Sequence, residues 1–173
     1  MASARHILLA PGASGNPKQL AAHASGLRER GHEVEIVSLP KGTVERAMPV
    51  YREAIGPEPT SVVTGGQSFG GRVASLLAAD DPPKALVLFA YPLHAPGRHE
   101  AWRERTAHWA RIRCPVLLLS GESDPFARVD LLREAVGQLP NATLVTYPSV
   151  GHGVDPVIDQ ALDEVDAFLQ ANT

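Results

Sequence analysis

The chain has 173 residues, 44% of them hydrophobic and 20% charged, with a formal net charge of −3, which fits an ordinary globular core. No Lys/Arg block is dense enough to track a phosphate backbone, which excludes nucleic acid as the main partner. Cys114 is the only cysteine, so neither an intrachain disulfide nor a cysteine-based metal site can be assembled.

Short apolar runs bounded by Gly, Pro or Asp alternate with longer segments of helical spacing, a pattern that predicts a parallel sheet. The first strand is expected over 6–10. Pro11 and Gly12 cut this apolar run short of a signal h-region or membrane span, so a cytoplasmic protein without a membrane partner is expected. A helix over 18–30 follows, with Leu20, Ala24 and Leu27 on one stripe and Gly31 as its stop. Next come a strand over 34–39 and a helix over 43–55 with a thin apolar stripe. The third strand, 61–65, runs into Gly66-Gln67-Ser68-Phe69-Gly70-Gly71 and a helix over 69–79. The fourth, 85–89, leads to Tyr91-Pro92-Leu93-His94 and a weakly amphipathic helix over 100–112. Trp102 and Trp109 would share one face of that helix, most simply as packing against the sheet. The fifth strand, 116–120, ends in Gly121-Glu122-Ser123-Asp124-Pro125 before a helix over 126–139. The sixth, 142–147, leads through Gly151-His152-Gly153 to a helix over 156–171, whose inward face carries Ile158, Leu162, Val165 and Leu169. Several strands are apolar throughout, as strands covered on both faces must be. The expected fold is α/β: a doubly wound, mainly parallel six-stranded sheet with helices on both faces, forming a single domain over 1–173 without a cap.

In such sheets ligands bind beyond the carboxyl ends of the strands, and the chemically suggestive residues follow strands. Gly66-Gln67-Ser68-Phe69-Gly70 matches G-x-S-x-G between a strand and a helix. A serine on so sharp a turn crowds the positions two before and two after it, where only small residues fit. No Lys follows Gly70-Gly71, and in Gly12-Ala13-Ser14-Gly15-Asn16-Pro17-Lys18 a proline replaces the second glycine of a Walker loop, so neither stretch is a phosphate loop. Asp124 lies just beyond the fifth strand and suits an anion that orients an imidazole. Glu122 competes for that role but stands closer to the strand. His152, flanked by glycines, has the freedom to reach across loops. Each residue alone reads equally as a turn former, cap or solvated side chain. Together they follow separate strands in the order Ser, Asp, His, with Ser68 as nucleophile, His152 as base and Asp124 as its orienting acid. The Phe69 amide would give one oxyanion contact. The second falls to the loop 10–15 through the Ala13 amide, a stretch that reads equally as a flexible surface turn. Gly12, Gln67, Tyr91 and His94 are candidate substrate contacts. No metal or cofactor is called for, and the expected partner is a small ester-like molecule.

Leu9-Ala10-Pro11-Gly12-Ala13, Gly66-Gln67-Ser68-Phe69-Gly70-Gly71, Tyr91-Pro92-Leu93-His94, Gly121-Glu122-Ser123-Asp124-Pro125-Phe126 and Gly151-His152-Gly153 together resemble the α/β-hydrolase superfamily. Within it they resemble the small branch related to dienelactone hydrolases and to the testis-expressed and NSL-complex hydrolase-like proteins. The resemblance implies a sheet lacking the first two strands of larger members. It also implies a serine hydrolase acting on an ester, thioester or lactone, with an acyltransferase or a non-catalytic binding module on the same scaffold as alternatives. Two departures stand out: Pro11 replaces the His of an H-G pair, and Ser68 occupies the position of the dienelactone hydrolase cysteine.

Overall fold

The computed structural model describes residues 3–173. Its single sheet contains β1 (His6–Ala10), β2 (Glu33–Ile36), β3 (Val63–Gln67), β4 (Ala85–Phe89), β5 (Val116–Gly121) and β6 (Ala142–Tyr147), in the order β2-β1-β3-β4-β5-β6. All five pairings are parallel. Successive side chains of each strand enter opposite layers. In β1, Leu8 and Ala10 join the layer of Tyr51, Val73, Leu77, Trp109 and Leu132, whereas Ile7 and Leu9 join that of Leu20, Leu27, Leu162 and Val165. Helices α1 (Ala21–Glu29) and α6 (Ile158–Asn172) therefore cover one face. The other is covered by α2 (Val44–Ile55), α3 (Phe69–Asp80), α4 (Trp102–Arg105) and α5 (Val129–Val136). Among the described residues no helix is long and apolar enough to cross a membrane.

This topology positions the site. The chain leaves β1 toward β2 on one side and returns to β3 on the other, so the loops after β1 and β3 part over a crevice at the switch point. Ser68 and the Gly12 loop border that crevice.

Several boundaries differ from the sequence reading for local reasons. The second strand ends at Ile36 rather than residue 39, because its partner β1 stops at Ala10. The third begins at Val63, after a 3₁₀ turn over Pro59–Ser61, and extends to Gln67 alongside Phe89 of β4. The helix expected over 18–30 opens with a 3₁₀ turn, Pro17–Leu20. The helix expected over 100–112 is broken into α4 and flanking 3₁₀ turns, His99–Ala101 and Trp109–Arg111. There the Thr106 hydroxyl donates back to the Trp102 carbonyl (2.9 Å), which also accepts the Thr106 amide (3.1 Å) as the last helical bond of α4. Trp102 and Trp109 thus do not share one helical face, yet both are buried, and Trp109 packs edge-on against Tyr91 with ring centroids 4.9 Å apart.

Buried histidines couple this core to pH. Burial, reinforced by Arg111 and Arg72, pushes the His108 imidazole down to about 4, and its Nε2 lies 2.8 Å from Ser75 Oγ. Burial also lowers His23, against the opposing pull of Asp155. The unfolded chain titrates histidine near about 6.5, so between that pH and about 4 it binds a proton that the folded chain does not. His108 therefore favours the fold fully above the unfolded value and loses that contribution as pH falls toward 4. His108→Gln is expected to lose about 2 kcal/mol less stability than the parent between pH 7 and 4.5, read by urea unfolding. Equal losses in the two proteins would contradict this assignment.

Candidate active site

β3 ends at Gln67 and α3 begins at Phe69, which makes Ser68 the whole of the intervening turn. Its backbone sits at φ 50° and ψ −118°, a strained region for a residue with a Cβ. The reversal presses its neighbours against β1. A Cβ on Gly66 would lie 2.5 Å from the Ala10 carbonyl oxygen, and one on Gly70 would lie 2.2 Å from the same atom and 2.4 Å from that of Pro11. Only glycine fits at either position. The Ser68 amide donates to the Phe89 carbonyl at 2.9 Å, fastening the turn to the end of β4.

The sixth strand delivers His152, whose Nε2 lies 2.9 Å from Ser68 Oγ. Its Nδ1 lies 2.8 Å from Asp124 Oδ2. The other carboxylate oxygen, Oδ1, accepts the Phe126 amide at 2.8 Å. A carboxylate can only accept, so the proton belongs on Nδ1, and Nε2 is left to accept from the serine hydroxyl. The Asp124 side chain is fully buried, whereas that of His152 is 24% exposed. The imidazole is therefore the solvent-accessible member of the pair. The Phe126 ring covers the imidazole at 4.4 Å between centroids.

The acid and base loops are laced together before their side chains meet. Glu122 and Ser123 amides donate to the Tyr147 and Val150 carbonyls, each at 2.9 Å. A Cβ on Gly121 would stand 2.1 Å from the Val150 oxygen and 2.3 Å from that of Gly151. Sequence reading passes over the packing roles of Gly121 and Phe126, and a glycine closing an otherwise apolar strand is the available signal. Of the glycines beside His152, only Gly153 uses the left-handed region (φ 119°), and Ser149 (φ 60°) makes the other sharp bend. Glu122, the rival acid, is engaged elsewhere, accepting from Thr146 Oγ1 at 2.8 Å and lying 3.5 Å from Arg133.

The loop after β1 closes the crevice. Gly12 packs beside Ser68, where a Cβ on the glycine would lie 3.8 Å from the serine Cβ, and its amide donates to Gln19 Oε1 at 3.1 Å. The amides of Ala13 and Phe69 donate to no other group of the described chain, and Phe69 opens α3, where first-turn amides have no helical partner. The positive end of that helix favours negative charge at the same place. Gln67 is half-buried between the Ser68 turn and the base loop, with Oε1 lacking a partner.

Tyr91 and His94 do not line the crevice, contrary to the sequence expectation. Tyr91 is 2% exposed and donates to the Arg105 carbonyl at 3.0 Å. His94 is fully buried, with Nδ1 donating to Ala95 O (2.8 Å) and Nε2 accepting the Arg128 amide (3.0 Å). Its amide also donates to Phe126 O at 3.0 Å. His94 therefore braces the loop that carries Asp124 and has no nitrogen left for a ligand. Among the described residues no cluster of three or more His, Cys, Asp or Glu could hold a metal ion.

The family model described as "Alpha/beta hydrolase domain" matches residues 41–171. Among solved structures, the chain is similar to a monoacylglycerol lipase of Paleococcus ferrophilus (15% identity, TM-score 0.83, 97% of this chain and 95% of that one). It is also similar to Est1E of Butyrivibrio proteoclasticus, solved with ferulic acid bound (18%, 0.77, 99% and 90%). A third similar structure is the esterase domain of a Rhodothermus marinus protein (13%, 0.73, 96% and 87%). At these identities the likeness establishes the fold.

Proposed function

The chain belongs to the α/β-hydrolase family, and on that premise we propose that it is a serine hydrolase cleaving the carboxylic ester, thioester or lactone of a small acyl substrate. The observation that carries this reading is the continuous line Ser68 Oγ–His152 Nε2, 2.9 Å, and His152 Nδ1–Asp124 Oδ2, 2.8 Å. In the acylation step His152 Nε2 takes the Ser68 proton as Oγ bonds to the substrate carbonyl carbon. The carbonyl oxygen gains the negative charge, to which the Phe69 and Ala13 amides would donate. Collapse of this adduct breaks the bond to the leaving group, which receives the proton from His152. Water then repeats the sequence on the acyl-enzyme: its proton passes to His152, the acid departs, and Ser68 recovers its proton. Asp124 holds the imidazole in the required tautomer and stabilises it while charged.

The missing cap leaves the crevice open, which suits short or exposed acyl groups, and it also supports a place in the small branch related to dienelactone hydrolases. An acyltransferase would use the same residues with a different acceptor. Purified protein is expected to release p-nitrophenol from p-nitrophenyl acetate and butyrate with saturation kinetics. Rates no higher than buffer across esters and thioesters would remove the hydrolase reading and favour a binding module.

A further inference from the structure

One helical turn beyond Ser68, the structure holds a cavity of about 460 Å³ lined by Arg72, Ala95, Arg98, Ala101, Glu104 and Arg105. That volume is within the range of small-ligand sites. The Arg72 amide donates to the Ser68 carbonyl at 3.0 Å, so the first guanidinium belongs to the residue about 6 Å along the α3 axis from the serine. The remaining lining comes from the segment after β4.

Arg30, Arg103, Arg111, Arg128 and Arg133 each have a carboxylate within 4 Å. Arg72, Arg98 and Arg105, like Arg28, Arg46, Arg52 and Arg113, have none among the described residues, but these three line one pocket. Three arginines and Glu104 thus line one pocket, in which Arg98 and Glu104 are exposed and Arg72 and Arg105 are half-buried. Arg72 Nε is buried with no hydrogen-bond partner, an expensive state for a charged donor. Arg105 is held in place, with Nη1 donating to Pro92 O at 3.0 Å and its carbonyl accepting from Tyr91. Burial and the neighbouring Arg72 both push its guanidinium pKa down. Arginines gathered in one pocket one helical turn from Ser68, one of them held through Pro92 O, suit an anion subsite, where planar guanidinium groups donate pairwise to carboxylate or phosphate oxygens.

We propose that this arginine cavity binds an oxyanion of the substrate, a carboxylate or a phosphate, so that the preferred ester carries negative charge a few bonds from its scissile carbonyl. The substrate half of this proposal rests on Ser68 being the reacting group. The anion-binding half does not.

Two measurements separate them. In the first, kcat/KM is compared for mono-p-nitrophenyl glutarate and the neutral p-nitrophenyl valerate at low ionic strength. The anionic ester is expected to be favoured by about tenfold or more, the range of a hydrogen bond to a charged group, and the preference should fade with salt. Arg98→Gln should bring the ratio close to unity. Arg103→Gln, which removes the same charge from a neighbouring exposed site, should not. In the second, Ser68→Ala protein is melted with and without inorganic phosphate or glutarate. A rise in Tm that disappears in Ser68→Ala/Arg98→Gln supports the cavity even if no ester is turned over, and in that case only the hydrolase reading falls. A rise with phosphate alone would identify a phosphate-bearing ligand, and a rise with glutarate alone a carboxylate. Ester turnover with a ratio near unity and no Tm response to either anion would overturn the proposal while leaving the hydrolase reading intact.

Discussion

Ser68→Ala is expected to lower kcat/KM for p-nitrophenyl acetate at least about 10⁴-fold, since loss of a nucleophile leaves only the catalysis supplied by binding and oxyanion contacts. The fold should survive, because the Ser68 hydroxyl bonds only to His152 and the turn is held by backbone and glycine packing. Alanine keeps the φ 50° strain of this position, so stability should barely change. Glycine adopts that conformation freely, and Ser68→Gly should gain about 1 kcal/mol while being equally inactive. Such a pair, inactive in both members and more stable in one, is the signature of strain kept for function. Residual rates above a tenth of the parent in either variant would assign the chemistry to another group.

Asp124→Asn should cost about 10⁴-fold in kcat, for a reason visible in the bonds around it. Oδ1 accepts the Phe126 amide and Oδ2 faces His152 Nδ1. Asparagine has one acceptor, and the fixed Phe126 N–H claims it. Its NH₂ must then donate to Nδ1, which moves the imidazole proton to Nε2, where it faces the serine hydroxyl and cannot receive its proton. The side chain is fully buried, so water cannot easily substitute. Imidazole ¹⁵N shifts should report the exchanged tautomer alongside the kinetic loss. A variant within tenfold of the parent, or one retaining the Nδ1–H form, would contradict this role.

Much of this arrangement is legible in sequence because it depends on short stretches. Six apolar runs and intervening amphipathic segments identify the sheet, and the requirement for small residues at 66 and 70 follows from the sharpness of the turn itself. The order Ser68, Asp124, His152 after three separate strands converts to proximity once the sheet is parallel. The parts that escape depend on distant partners. A histidine a few residues past a strand looks the same whether it lines a crevice or braces a loop. For His94 the outcome is set by Phe126 and Arg128, far along the chain. Gly121 is explained only by the Val150 and Gly151 carbonyls that arrive from the next crossover. The segment 100–112 carries too thin an apolar stripe to hold one helix, and it breaks into 3₁₀ turns on either side of α4. The arginine cavity likewise joins α3 to the segment after β4, an encounter that no local pattern encodes.

The proposed function requires Ser68 to be nucleophilic in the native fold and inert once the line to His152 is lost. The most direct measurement of that claim is labelling of folded protein with a fluorophosphonate, followed by peptide mass spectrometry. A single adduct on Ser68 is expected, formed in the native protein, absent after denaturation and strongly slowed in Asp124→Asn. Labelling at another residue, or no labelling of Ser68 in protein shown to be folded, would contradict it.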